Sequence, residues 1–303
     1  MKKVIDAHIH LIQSIAGTGA DGELRYTGNG MAQYASGKRI RALPEEYVKG
    51  YVTAEDILKQ MDDNDVEKAV LLQGNYFGFQ NLYSLAAQRK YPDRFRTAGS
   101  YDPYSRSKHE IRKNLFEVNK IGIVKFELST GSGLMCNHPT FPIDGTMMEE
   151  ELDYCDEHNL ICVMDIGKCE AESWQVDAVR TVALKHPSMQ FVVCHLLAPS
   201  SQNVAYMLRQ LPRLSLDNVS FDLAALPHNL CPGAYPYEGA VRCLREAIRI
   251  VGEDKILFGS DIPSTMKEDS YGHLIDYIRD SAEFSTQEKE RILYSNALKL
   301  YFS

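Results

Sequence analysis

No CxxC pair occurs among the seven cysteines, no long apolar tract interrupts the chain, and positive charge is not in surplus. Each of these lacks closes off a class of protein. Cysteines that are odd in number and scattered build neither a disulfide framework nor a paired-cysteine zinc site. Cys162, Cys169 and Cys194 stand in or beside apolar runs and read as small core residues. A reduced, cytoplasmic protein is the expectation. Nothing approaches the run of about 18 apolar residues that a membrane span requires, so no membrane partner is expected. Asp6 breaks the apolar start, which predicts no leader peptide. With 33 basic against 41 acidic residues and a net charge of −8, a nucleic-acid partner is excluded as well.

What is present is ordinary globular material, 44% hydrophobic and 24% charged over 303 residues. That length suits a single α/β barrel, which takes about 250 residues. Short apolar runs at 4–10, 67–74, 94–103, 121–128, 160–167, 190–195, 219–224 and 255–261 alternate with stretches of helical period. One helix starts at Thr53 with Asp56 three residues on, and another at Ser285 with Glu288, both capping-box patterns. Eight buried strands separated by helices predict a (β/α)8 TIM barrel, one domain over residues 1–303, with long connections at 11–51 and 130–145. An open dinucleotide-binding sheet is disfavoured, because the first strand ends in His-x-His and not in a phosphate loop.

That ending, Asp6-Ala7-His8-Ile9-His10, carries the chemistry. Side chains alternate along a strand, so His8 and His10 share a face and form half of a transition-metal site. The later strand ends supply Lys125 and Glu127, Asp165, His195, Asp222 and Asp261. In a barrel these ends converge on one rim, where catalytic groups sit. An ionisable group closing an apolar run is costly unless paired or coordinated. His228 and His138 stand in loops that could reach the mouth, whereas His109, His158, His186 and His273 read as solvated. Tyr76, Phe77 and Phe79 follow the second strand and could line a pocket. Arg25, Tyr26, Lys38, Arg39 and Arg41 lie in the first long connection, which is expected to cover the mouth as a lid and to favour an anionic substrate.

The chain resembles the amidohydrolase superfamily, in the branch of the amidohydrolase-2 and aminocarboxymuconate-semialdehyde decarboxylase relatives. The matching residues are Asp6-Ala7-His8-Ile9-His10, Cys194-His195-Leu196, Ile256-Leu257-Phe258-Gly259-Ser260-Asp261-Ile262-Pro263 and Tyr294-Ser295-Asn296-Ala297. The resemblance implies that His8, His10 and Asp261 bind a divalent metal and that His195 is a ligand or catalytic partner. Met164-Asp165-Ile166-Gly167 departs from the pattern, since the family carries a histidine where Asp165 stands. Asp165 is expected as a further ligand, and a carboxylate there would admit Mn²⁺ beside Zn²⁺. Some relatives work without metal. Lys125, carboxylated in some superfamily members, is a further candidate beside Glu127.

The resemblance and the residues together predict a metal-dependent hydrolase of a small carboxylated amide, lactone or ester. Asp261 would be the general base, and His195 would stabilise the oxyanion. The alternatives are a non-oxidative decarboxylase on the same scaffold, and a metal- or ligand-binding protein without turnover. Whether the chain forms a homo-oligomer is left open.

Overall fold

The computed structural model describes residues 3–230 and 235–303. Strand β1 (Val4–Ile9) is buried along its whole length. The connection after it is long, as expected, but its interior is a sheet: β2 (Thr18–Gly19), β3 (Gly22–Gly28), β4 (Met31–Tyr34) and β5 (Arg39–Arg41) pair antiparallel in that order. The signal was Gly28-Asn29-Gly30. Asn29 and Gly30 have φ of 52° and 74°, the positive values of a tight hairpin. Leu24, Ala32 and Tyr34 are its buried residues, too sparse among glycines to stand out as period two. Gly17-Thr18-Gly19-Ala20-Asp21-Gly22 has the spacing of a dinucleotide fingerprint, yet it forms the β2–β3 hairpin and opens no helix. Backbone bonds Ala16 N–H to Phe77 O, Thr18 N–H to Asn75 O and Ala20 N–H to Gly131 O tie this sheet to two neighbouring loops. Most of the expected loop is ordered sheet with its turns.

Seven further strands are parallel to β1: β6 (Val66–Leu71), β7 (Phe95–Thr97), β8 (Ile123–Glu127), β9 (Ile161–Asp165), β10 (Phe191–Val193), β11 (Val219–Asp222) and β12 (Ile256–Leu257). They form two arcs, β1-β6-β7 and β8-β9-β10-β11-β12. Gly99 pairs with Val124 at one seam and Ile9 with Ile262 at the other. The ring is a (β/α)8 barrel. Helices between the strands include Ala54–Asp63, capped by Thr53 and Asp56 as the sequence predicts. Of the six cysteines among the described residues, all are free thiols and only Cys136 is not buried; Cys231 lies outside the described residues.

Alternation divides the interior into two layers. Ile5, Val70, Ala98, Ile123, Val163, Val192 and Leu257 pack in the lower barrel, and Ala297 and Tyr301 of the last helix join them. One step up the same faces stand ionisable groups: Ile123 is followed inward by Lys125 and Glu127, Val163 by Asp165, and Leu257 by Gly259 and Asp261. The outward residues Val124, Phe126, Met164, Phe191 and Phe221 join the other core, beneath the helices. The apolar layer supplies the burial that folds the barrel. The polar layer above it is the site.

Candidate active site

His8 and His10 meet at the end of β1, their rings 5.1 Å apart. Both are fixed from behind. His8 Nδ1 donates to Asp222 Oδ2 at 3.0 Å, and His10 Nδ1 donates to the Leu72 carbonyl at 2.8 Å. A carbonyl or carboxylate oxygen only accepts, so each ring carries a proton on Nδ1 and turns Nε2 forward, where His10 Nε2 donates to Asp261 in the absence of a metal and would offer its lone pair to one in its presence. Both Nε2 atoms face Asp261 Oδ1, at 4.0 Å from His8 and 2.9 Å from His10. His8, His10 and Asp261 therefore group three ligand atoms within 4.8 Å of one another, close enough for a single ion. The donor set fits a divalent metal: two imidazole nitrogens and one carboxylate oxygen, each imidazole held by a partner behind it.

Close packing makes room for this set. A Cβ on Gly259 would lie 2.9 Å from His8 Cβ, and one on Gly74 would collide with the Glu127 carboxylate. Asp6 ties the two ligand-bearing strand ends together, accepting from the His8 and Ser260 N–H groups on Oδ1 and from the Tyr271 hydroxyl on Oδ2. Burial pushes its carboxyl up to about 7. Asp261 has a φ of 66°, and His195, Leu196, Leu197 and Ala198 form four consecutive left-handed residues with φ between 45° and 65°. Left-handed backbone costs non-glycine residues roughly 1–2 kcal/mol each, and such strain collects at functional sites. Hydrogen bonds hold this turn, from the His195 N–H to Asp222 Oδ1 (2.8 Å) and from Trp174 Nε1 to the Leu197 carbonyl (2.9 Å).

His195 differs from the strand-one pair. Its Nδ1 donates to the Ala224 carbonyl at 2.8 Å, and its Nε2 lies 3.3 Å from Asp165 Oδ2. Burial opposes charge on this ring, but Asp165 beside it prevails and raises it to about 10. For His8 the balance reverses: burial lowers it to about 4 although Asp222 pulls the other way. Burial works against ionised Asp165 and Asp261 too, yet His195 and His10 respectively hold these carboxyls well below the usual range. Asp165 Oδ1 also accepts from the Gly167 N–H at 2.8 Å.

A cavity of about 260 Å³ opens over these groups. It brings together His8, His10, Lys125, Glu127, Asp165, His195, His228 and Asp261, with Tyr76 and Phe77 as an aromatic side. A second recess of about 360 Å³ shares Asp165, His195, His228 and Asp261 and runs past Thr130, Lys168 and Asn229. The lid cations are not among the lining residues. Lys38, in the turn before β5, pairs with Asp21, and Arg25, which alternates with buried Leu24 on β3, bonds the Gly17 and Leu24 carbonyls. Lys125, Lys168 and Lys267 take that place. His138 bonds Asp102 at 2.7 Å and lies outside both recesses, and Phe79 is exposed. His186, expected solvated, is buried against Asp156. Asp222 is the residue whose part the sequence understates: it bonds a neighbouring turn at Ala224 and also holds both His8 and His195.

A family model described as amidohydrolase matches residues 5–302. The chain belongs to the amidohydrolase family. No curated protein matches its sequence. Solved structures agree on the fold of this amidohydrolase. One is an amidohydrolase from Burkholderia multivorans with bound zinc, at 16% identity and a TM-score of 0.72, covering 99% of each chain. A second, from Pseudomonas putida, is described as a 2-pyrone-4,6-dicarboxylic acid hydrolase; it is 16% identical, with a TM-score of 0.69, covering 99% of this chain and 97% of its own. A third is 5-carboxyvanillate decarboxylase from Sphingomonas paucimobilis, at 11% identity and a TM-score of 0.66, covering 100% of this chain and 99% of its own.

Proposed function

We propose that this amidohydrolase is a metal-dependent hydrolase of an amide, lactone or ester bond in a small carboxylated molecule. The observation that carries the reading is the orientation of the two strand-one imidazoles. Each spends Nδ1 on an acceptor and turns Nε2 toward Asp261. The chemistry that a divalent ion supplies in such a set is a water acidified towards neutrality and a polarised carbonyl oxygen. Zinc suits two imidazoles and one carboxylate. The zinc-bound Burkholderia relative supports that choice.

Within the chain, Asp261 Oδ1 faces the histidines while Oδ2 makes no hydrogen bond to a described residue. Oδ2 is thus free to take the proton of an attacking water and return it to the leaving group. His195, held as an imidazolium by Asp165, sets a positive charge beside the oxygen on which negative charge develops. We take Asp165 as the partner of His195 and not as a further metal ligand, because it faces His195 Nε2 at 3.3 Å while the ligand atoms that cluster within 4.8 Å of one another are those of His8, His10 and Asp261.

The decarboxylase reading has one observation of its own. Glu127 lines the cavity, and burial raises its carboxyl above the ordinary value, so it could hand a proton to a carbanion. The decarboxylase among the structural relatives supports it too. One experiment separates the readings. The purified protein is analysed for metal, then offered lactones, esters and amides of small carboxylic acids and a set of hydroxylated benzoates, with and without a chelator. The hydrolase reading expects about one equivalent of metal, chelator-sensitive turnover and no CO₂. Release of CO₂ selects the lyase, and binding without turnover across the panel selects the non-catalytic protein.

A further inference from the structure

Lys125 lies at the base of the cavity, 2% exposed, on the inward face of β8. Its closest carboxylate oxygen is Glu127 Oε2 at 3.9 Å, too far for a hydrogen bond. Among the described residues its Nζ makes none, so three N–H donors of a buried ammonium face the cavity. A buried charge without hydrogen-bonding partners is expensive. Burial works to discharge the amine, but Glu127, with Asp165 and Asp261 farther off, keeps it protonated. The ammonium stands beside the metal set, and a divalent ion on His8, His10 and Asp261 would itself exceed the one carboxylate that holds it. Glu127 and Asp165 offset this positive charge without hydrogen-bonding the ammonium, and Tyr76 and Phe77 line the same cavity.

We propose that Lys125 is the substrate-anchoring residue of this site: its ammonium binds a carboxylate of the substrate at the base of the cavity, with the planar body of the molecule along Tyr76 and Phe77. This deepens the hydrolase reading and rests on it for the word substrate. The anchor places the carboxylate inside the barrel next to Asp261 and not on the outer sheet. The part of the molecule beyond the reacting bond extends into the second recess, past Thr130 and Lys168. Glu127 competes with the substrate carboxylate for the same ammonium, so it sets the strength of the anchor.

The test is calorimetric titration of the full-length protein with benzoate and with its neutral counterpart benzamide. Metal content is measured on each sample. Wild type is expected to bind benzoate at least tenfold more tightly than benzamide. Lys125→Met should abolish that preference with metal content unchanged. Glu127→Gln, which removes the competing carboxylate, should tighten benzoate binding severalfold, an outcome that a misfolded variant cannot produce. Equal binding of benzoate by wild type and Lys125→Met overturns the proposal. So does the absence of any benzoate preference in wild type. Two equivalents of metal with a carbamate carbon signal after growth on ¹³C-bicarbonate would also overturn it, since Lys125 would then be carboxylated. The readout needs no turnover: a Lys125-dependent benzoate preference in a protein without metal or hydrolysis keeps the anchor and rejects the hydrolase. Hydrolysis that Lys125→Met leaves intact in KM does the reverse.

Discussion

His8 and His195 stand with their rings 5.0 Å apart, each paired with a carboxylate, and yet they hold protons oppositely. His8 is buried almost completely, and the charges of Lys125 and His195 press on it, so it stays neutral against the pull of Asp222. His195 has Asp165, Asp222 and Asp261 around it, and their summed field outweighs its burial. A carboxylate neighbour alone decides nothing; the balance of desolvation against all nearby charge does. The consequence is a division of labour. The β1 side of the mouth is built to hold a cation, and the β9–β10 side carries a positive charge.

The sharpest way to break this division is at Asp261, which touches both sides. Asp261→Asn keeps the shape and can still offer an oxygen to a metal, but the amide cannot accept a proton from water. Turnover is expected to fall by about 10²–10⁴-fold, the usual range for losing a positioned base, with metal retained in elemental analysis. Substantial activity in that variant at normal metal content would remove Asp261 from the base role.

Asp222 tests the neutral side, with a smaller effect. Asp222→Asn leaves a hydrogen-bonding group beside His8, but its amide can donate as well as accept, so the Nδ1–H tautomer is no longer enforced. Loss of such a supporting partner typically lowers metal affinity about 10–100-fold. Competition with a graded chelator measures it. An unchanged affinity would mean that His8 needs no partner to present Nε2.

Much of this arrangement was legible in the sequence because barrel strands are written in a strict code. An apolar run closing on an ionisable residue marks a rim position, and His8, His10, Lys125, Asp165, His195 and Asp261 all follow it. Capping at Thr53 was equally legible, since it depends on neighbours three residues apart. What distance in sequence hid was the pairing. Nothing near Asp222 announces that it reaches His8, 214 residues away, or that Asp165 would meet His195. The first connection was misread for a local reason: glycines and charged residues outnumber the few buried positions of its sheet. Its cations pointed outward, and the cavity's ammonium groups came instead from Lys125, on a strand face that also carries Glu127, and from Lys267.

The finest test concerns the charged side, where Asp165 stands beside His195. The folded value for His195 is about 10, above the ordinary 6.5. The ion pair therefore contributes stability that is full below about pH 6.5 and is lost as pH rises through 10. If catalysis uses the imidazolium, activity should persist well above neutrality and decline on that alkaline side. Asp165→Asn removes the charge that outweighs burial and keeps a side chain of the same size. His195 should then lose its proton earlier, and the alkaline limb of the pH–rate profile should move down by at least about one pH unit, with metal content unchanged. Asp165→His asks the complementary question. As a partner of His195, Asp165 cannot be replaced by a second imidazole, so turnover falls while metal content and preference stay as they were. As a metal ligand it can, and the variant would keep metal, shift its preference toward zinc and lower its pH optimum. Asp165 faces His195 and lies outside the clustered ligand atoms of His8, His10 and Asp261, and the partner outcome is the one expected.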